Sequence, residues 1–257
     1  GDFLAGKAGA LEAVAAELQY AAENVGFFFI RNHGVSQDLV NATFDASGRF
    51  HDLPDEEKIA LKANEHNVGY MGPGSSVSRA SQVYEGERKA NLVAAFFLKR
   101  DLPPDHSDIV ENKPFRGANQ WPANLDGFRE TTVAYMDAME ALAKSMLPIY
   151  ATSLDLPSDF FAKAFEEPQY TLRLSHYPPA EAEDNQFGLA PHTDSSFLTL
   201  LAQNEVEGLQ VRPDDGAWIN APVLPNTFLV NTGDMLRRWS NHRFLSTPHR
   251  AIASAPD

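Results

Sequence analysis

The C-terminal part of the sequence is a succession of short apolar segments separated by turn-forming residues. Pro, Gly, Asn or Asp lies in each interval, and each segment is too short to form a buried helix. Many short strands with such turns between them predict an antiparallel sandwich or barrel. The segments are 171–177, 187–192, 197–202, 208–211, 217–219, 227–231 and 249–253.

The N-terminal part has a different pattern, with apolar residues at helical spacing. This spacing predicts a first helix over 11–22, and the apolar run 27–30 predicts a buried strand after it. A long amphipathic helix is predicted from 125 to about 154, with a kink or a break at Pro148. The other predicted elements are helices at 36–50, from 54 and at 157–165, a surface loop at 69–81, and a strand at 91–98.

These patterns predict a fold that is mainly β with additional α-helices. The length of 257 residues fits one domain, so we expect a single domain over 1–257. Within it, a helix-rich part, 1–169, is expected to pack on a β-rich core, 170–257. Residues 72–78 could form a lid over the active site, but we interpret them as an ordinary surface loop.

Composition excludes several classes of function. Asp and Glu number 35 against 21 Lys and Arg, and the resulting charge of −14 repels nucleic-acid phosphates. The absence of cysteine excludes disulfides, thiol nucleophiles and cysteine-ligated metals. The apolar run 92–98 is too short to span a membrane, and the N-terminus shows no secretion signal, so we expect a cytoplasmic protein without a membrane partner.

The pair His192 and Asp194 is the clearest candidate for metal chemistry. Residues two apart on a strand point to the same face, so the imidazole and the carboxylate would converge. Antiparallel pairing of the last readable strand could bring His249 alongside them as a third ligand. Two histidines and one carboxylate on one face of a metal leave positions open, which suits ferrous iron. By itself, a His-x-Asp pair is more often a surface histidine beside a solvated acid.

The sequences around these residues resemble the non-haem Fe(II)/2-oxoglutarate-dependent dioxygenases of the isopenicillin N synthase-like superfamily. The similarity extends in order over nearly the whole chain, and it includes Pro54 and Trp218. The matching pieces are GFFFI at 26–30, NHGV at 32–35, LRLSHYPP at 172–179, HTD at 192–194, FLTLL at 197–201, GLQV at 208–211, VNTGD at 230–234, WSN at 239–241 and STPHR at 246–250.

The resemblance implies a double-stranded β-helix, or jelly roll, flanked by N-terminal helices. It implies that His192, Asp194 and His249 are the iron ligands and that no catalytic residue is needed beyond them. Tyr177 stands where the family has a tyrosine that contacts the 2-oxoglutarate carboxylate, and Ser175 stands where an asparagine often assists. The implied reaction is oxidation, most commonly hydroxylation, of a small molecule with release of succinate and carbon dioxide. Dioxygen is the oxidant, and ascorbate is a candidate reductant.

One feature of the family is missing from the sequence. Members carry an Arg-x-Ser motif about ten residues after the distal histidine, whose arginine pairs with the far carboxylate of 2-oxoglutarate; the sequence given stops at Asp257, before that position. We therefore expect that a first and a last family strand lie outside the sequence. Two alternatives stay open: an iron oxidase that does not use 2-oxoglutarate, and a non-catalytic or hydrolytic jelly roll that binds zinc.

Other aromatic residues and histidines receive plainer interpretations. Phe97 and Phe197 are candidates for lining the substrate pocket, although aromatic residues in apolar segments are more often core. Arg250 is interpreted as a structural arginine as readily as a functional one. The remaining histidines are assigned structural or surface positions: His33 in a turn, His176 on the sheet face opposite Tyr177, and His51, His66, His106 and His242 exposed.

Overall fold

The strands lie mainly after residue 170, and the helices mainly before it. The computed structural model describes residues 1–78, 81–213 and 216–254. The helices are α1 (Ala10–Asn24), α2 (Gln37–His51), α3 (Asp55–Ala60), α4 (Ser107–Val110), α5 (Phe128–Ser153) and α6 (Asp234–Trp239). The strands are β1 (Phe27–Arg31), β2 (Gly69–Met71), β3 (Ala94–Lys99), β4 (Thr171–His176), β5 (Leu189–His192), β6 (Leu198–Leu201), β7 (Leu209–Val211), β8 (Ile219–Asn220), β9 (Thr227–Thr232) and β10 (His249–Ala251).

Each C-terminal apolar segment contains or overlaps a strand, as predicted. Of the kink or break expected at Pro148, the break does not occur, because α5 continues as far as Ser153; the kink stays a prediction. The residues beside the proline, Leu147 and Ile149, are buried in the core, and this packing holds the last turns in place. The predicted helix at 157–165 is reduced to a short 3₁₀ turn, Lys163–Phe165.

The strands form three antiparallel sheets, in the orders β1-β9-β6, β5-β10-β7-β8 and β2-β3-β4. Two of these sheets combine strands from both parts of the chain. Phe27 of β1 lies opposite Asn231 of β9, and Phe97 of β3 lies opposite Arg173 of β4. These shared sheets support a single domain over 1–257, which stays a prediction, as do the family strands expected outside the sequence.

Strands β3 and β4 bury one face against helices and turn the other face away from them. Phe96 and Leu174 belong to a buried cluster with Phe50 of α2 and Phe128 of α5. Alternation along the strands then places Phe97 and the residues that flank Leu174 on the opposite face. A second buried cluster joins α1 and α5 to β9 and α6. The helices therefore support the outer side of the sheets and leave an inner side free for a site.

Two of the histidines expected on the surface are buried. His51, at the end of α2, is only 7% exposed; its Nε2 lies 3.2 Å from the Leu174 carbonyl oxygen, and its ring stacks on His176. His66 Nε2 lies 2.9 Å from the side-chain oxygen of Asn112. The prediction of exposure is wrong here because neither contact partner is near in sequence.

None of the helices in the described part of the chain combines the length and the hydropathy that crossing a bilayer requires.

Replacing Phe50 tests the helix-facing cluster. Phe50 is 0% exposed, and its ring centroid lies 4.1 Å from that of Phe96. We expect Phe50→Ala to lower the free energy of unfolding by about 3–5 kcal/mol, measured by urea denaturation followed by circular dichroism. Phe44→Ala on the same helix is the control; Phe44 is 39% exposed, and we expect a loss below about 1 kcal/mol. Equal losses would contradict the assigned core.

Burial of His51 predicts a loss of stability in mild acid. Burial, partly opposed by the Leu174 carbonyl, lowers the pKa of His51 from 6.5 to about 4. The unfolded chain therefore binds a proton below pH 6.5 while the folded chain does not, so the stabilisation is complete above pH 6.5 and is lost as the pH falls towards 4. Between about pH 6.5 and 5, wild type should lose about 2 kcal/mol more than His51→Gln in urea denaturation. Parallel pH profiles would refute this explanation.

Candidate metal centre

Three candidate ligands meet where β5 and β10 lie side by side. His192 ends β5, His249 begins β10, and the two residues are directly opposite each other in the antiparallel ladder. Opposite residues share a face, so both imidazoles point the same way. Asp194 follows β5 by two residues, and its Oδ1 lies 3.6 Å from the Nε2 atom of each histidine. One donor atom from each residue falls within a 4.8 Å group, as the spacing of the sequence predicts.

Backbone carbonyls orient both imidazoles. His192 Nδ1 lies 2.8 Å from the Ala190 carbonyl oxygen, and His249 Nδ1 lies 3.1 Å from that of Thr247. A neutral imidazole that donates from Nδ1 keeps a lone pair on Nε2, the atom that faces Asp194. Burial, reinforced by the neighbouring His249, lowers the pKa of His192 to about 4. His192 is therefore neutral at pH 7, as a metal ligand must be.

The two carboxylate oxygens of Asp194 have different surroundings. Oδ2 accepts hydrogen bonds from Thr199 Oγ1 at 2.6 Å and from Asn231 Nδ2 at 2.9 Å. Oδ1 faces the two histidines instead. Burial raises the pKa of Asp194, but the neighbouring His249 and the two hydrogen bonds outweigh it, so the pKa lies below its usual value. Asp194 is therefore an anion with one oxygen directed at the histidines.

The segment after β9 supports the loop that carries Asp194. The Asp234 backbone N–H donates to the Asp194 carbonyl at 2.7 Å, and Thr193 Oγ1 donates to the Asp234 carboxylate at 3.1 Å. A side chain at Gly233 would collide with the carbonyl of Ser196 and would lie 2.9 Å from that of Asp194. Only glycine allows the two segments to approach this closely.

Tyr177, the tyrosine expected beside the candidate ligands, lies just beyond the end of β4. It follows Ser175 by two residues, and burial raises the pKa of Tyr177, partly opposed by Arg173 and Ser175. A side chain at Gly188 would come within 2.9 Å of the Tyr177 ring, so glycine makes room for the ring. Phe97 lies on the same face, opposite Arg173. The positive charge of Arg173 acts to lower the pKa of both Tyr177 and His192, so this face adjoins the candidate ligands.

Phe197 packs in the core, as the plainer interpretation holds, and its role in lining the substrate pocket stays a prediction. The residue is 5% exposed, and four aromatic rings surround its own at centroid distances from 4.8 to 6.0 Å. These rings belong to Tyr150, Phe161, Phe165 and Trp239. They enclose Phe197 from several sides, so its apolar surface packs against these rings.

Arg250 has the contacts of a structural residue. Its Nε donates to Gln210 Oε1 at 2.8 Å, and its guanidinium lies 4.1 Å from the centroid of the Trp218 ring. It follows His249 directly along β10, and alternation turns it to the other face of the sheet.

Comparison with known proteins identifies the family. Residues 2–124 match the model described as the non-haem dioxygenase in morphine synthesis N-terminal region, and residues 168–257 match the 2OG-Fe(II) oxygenase superfamily. The 2-oxoglutarate-Fe(II) type oxidoreductase hxnY of Emericella nidulans is 33% identical over 243 residues, which cover 92% of this chain and 68% of that protein.

The chain belongs to the 2OG-Fe(II) oxygenase superfamily.

Further relatives of this oxygenase agree in sequence and in fold. Homoarginine-6-hydroxylase 2-ODD-C23.2 of Arabidopsis thaliana is 32% identical over 98% of this chain and 69% of its own length. A full-length Neurospora crassa protein, solved in complex with alpha-KG, is 28% identical and superposes with a TM-score of 0.84, covering 100% of this chain and 78% of that one. The predicted jelly-roll core, the Fe(II) and 2-oxoglutarate cofactors and the oxidoreductase activity are thereby confirmed.

The sequence alone assigns no role to the two residues that hold the Asp194 carboxylate of this oxygenase. Thr199 and Asn231 lie in segments that match the family, but the match does not show what their side chains do. A signal was present, because each is a polar residue inside an otherwise apolar strand, β6 or β9. Buried polar side chains of this kind need a hydrogen-bond partner, and here the partner is Asp194.

Removing the Thr199 hydroxyl should weaken metal binding to this oxygenase. Thr199→Val keeps the side-chain shape but takes a hydrogen bond from Asp194 Oδ2, and we expect the Kd for Mn²⁺ to rise about 10- to 100-fold in anaerobic calorimetry. Thr227→Val is the matched control, because that hydroxyl bonds only the carbonyl of Leu224 at the surface. Wild-type affinity in Thr199→Val would show that the hydroxyl does not position the carboxylate.

Proposed function

We propose that this oxygenase hydroxylates a small-molecule substrate and that His192, Asp194 and His249 are its Fe(II) ligands. The observation that carries the proposal is the convergence of these three donors, with Asp194 Oδ1 receiving no hydrogen bond from the described residues. No fourth histidine, aspartate or glutamate of the described residues belongs to the group. A metal held by three protein donors retains positions for a co-substrate and dioxygen.

The donor chemistry fits ferrous iron. Two neutral imidazoles and one carboxylate leave Fe(II) with a net positive charge, which favours an anionic co-substrate. Bound Fe(II) would supply dioxygen activation coupled to the decarboxylation of 2-oxoglutarate to succinate and carbon dioxide. The protein's part is to orient the imidazoles through the Ala190 and Thr247 carbonyls and to hold Asp194 ionised.

The proposed contacts to 2-oxoglutarate are Tyr177 and Ser175. The two residues lie two positions apart at the end of β4, and each offers a hydroxyl that can donate to a carboxylate oxygen. Ascorbate as a reductant stays a prediction.

A small organic substrate is supported by the relatives. One solved structure is the full-length Neurospora crassa protein with alpha-KG and thymine, and another is JOX2 with 2OG, Fe and JA. The hydroxylase of Arabidopsis thaliana supports hydroxylation as the outcome. The charge of −14 argues against binding to a phosphate backbone.

Asp194→Ala tests the ligand assignment. With Fe(II), ascorbate and 2-oxoglutarate, wild type should form succinate even when turnover is uncoupled from substrate, and the variant should fall to background with its circular dichroism unchanged. Asp159→Ala, which removes an exposed acid, is the control and should keep wild-type turnover. Succinate formation retained by Asp194→Ala would refute the assignment.

Assays of the wild-type protein distinguish the proposed function from the two alternatives that the sequence left open. Oxygen uptake without succinate would indicate the iron oxidase that does not use 2-oxoglutarate. Stoichiometric zinc without iron-dependent turnover, measured on protein purified without air, would indicate the zinc-binding jelly roll.

A further inference from the structure

The inner face of β3 and β4 carries two cations on neighbouring positions. Lys99 lies opposite Thr171, and Phe97 lies opposite Arg173, with Ser175 next along β4. Alternation puts all five on the side that faces away from the helix-packed cluster. These five residues form a row that runs from Lys99 towards the candidate iron ligands.

Neither cation has an acidic partner among the described residues. Lys99 Nζ donates to Thr171 Oγ1 at 2.6 Å, and burial lowers the pKa of Lys99. The guanidinium of Arg173 lies 5.6 Å from the centroid of the Phe97 ring, and its Nε is buried without a hydrogen-bond partner. Arg49 and Arg250 also lack an ion pair among the described residues, but they donate to the Asp126 carbonyl and to Gln210, whereas the Nε of Arg173 is buried without an acceptor.

Other arginines show what this chain does elsewhere. Arg243 contacts Glu23 at 2.7 Å and Asp155 at 2.9 Å. Arg129 combines an aromatic contact to Trp121 with an ion pair to Asp101 at 3.0 Å. Arg173 has the aromatic contact but lacks the ion pair. A buried donor without a partner is destabilising, and a ligand that accepts its hydrogen bonds recovers that loss.

We propose that Arg173 is the anchor of an anion subsite beside the candidate iron, and that the organic substrate carries a carboxylate there. The planar guanidinium binds a carboxylate through two parallel hydrogen bonds, while the Phe97 ring offers an apolar surface to the body of the same molecule. This inference rests on the proposed function and names the substrate class that the function leaves open.

The far carboxylate of 2-oxoglutarate is the competing occupant. The position of Arg173 along β4 favours the organic substrate over 2-oxoglutarate as its ligand. The proposed co-substrate contacts, Ser175 and Tyr177, occupy the end of the row, whereas Arg173 lies further back beside Phe97 and Lys99. The two sources share one chemistry, so the experiment must measure them separately.

The test compares acids with their primary amides. Calorimetry on Mn²⁺-loaded protein saturated with 2-oxoglutarate would use benzoate and benzamide, phenylacetate and phenylacetamide, and hexanoate and hexanamide. We expect at least one acid to bind wild type about tenfold or more tightly than its amide. Arg173→Gln should abolish this preference. Arg129→Gln, which removes an equal charge and a similar aromatic contact at the surface, should retain it.

Two results would overturn the inference: the absence of any acid preference in wild type, and an acid preference that survives in Arg173→Gln. In the second case, a roughly tenfold loss of 2-oxoglutarate affinity in the same variant would assign Arg173 to the co-substrate instead. If Arg173→Gln does not fold, Arg173→Lys replaces it, because lysine keeps the charge but not the paired hydrogen bonds and should weaken the preference. If wild type binds no Mn²⁺ or 2-oxoglutarate, the proposed function fails, and the acid preference of the metal-free protein then tests Arg173 alone.

Discussion

The antiparallel pairing of β5 with β10 is the interaction on which the site depends. It sets His192 opposite His249, and their ring centroids lie 4.2 Å apart. A shift of one residue in this register would turn His249 to the other face of the sheet and leave Arg250 in its place. On its far side, β10 is held by β7, where His249 lies opposite Val211. The strand pairing therefore serves as the scaffold of a coordination sphere.

Asp194 connects that scaffold to the rest of the fold. It lies beyond the end of β5, so strand pairing does not fix its position. Side chains from β6 and β9 hold one of its oxygens, and the backbone of Asp234 holds its carbonyl. Three separate elements thus converge on one residue, two of them on its carboxylate. Buried polar contacts of this kind stabilise little on balance, but they select a single orientation.

The sequence allowed the strands and the candidate ligands to be predicted because both depend on local spacing. Turn residues bound each strand, and the His-x-Asp interval suggested that the two side chains converge, although Asp194 lies beyond the end of β5 and is positioned by other elements. The burial of His51, the rings that surround Phe197 and the packing that continues α5 past Pro148 were not predictable in this way. Each depends on contacts made by residues distant in sequence, and these contacts override local preference.

Two segments far apart in sequence meet close to the candidate ligands. Thr247 Oγ1 donates to the Val25 carbonyl at 2.6 Å across 222 residues, and the Phe27 ring packs edge-on against His249. Such contacts close late, since the entropy of a very long loop opposes them until most of the fold has formed. During synthesis the histidine of β10 leaves the ribosome long after Phe27 has emerged. Until β10 has emerged, a nascent chain therefore exposes only an incomplete set of the proposed iron ligands to the metals around it.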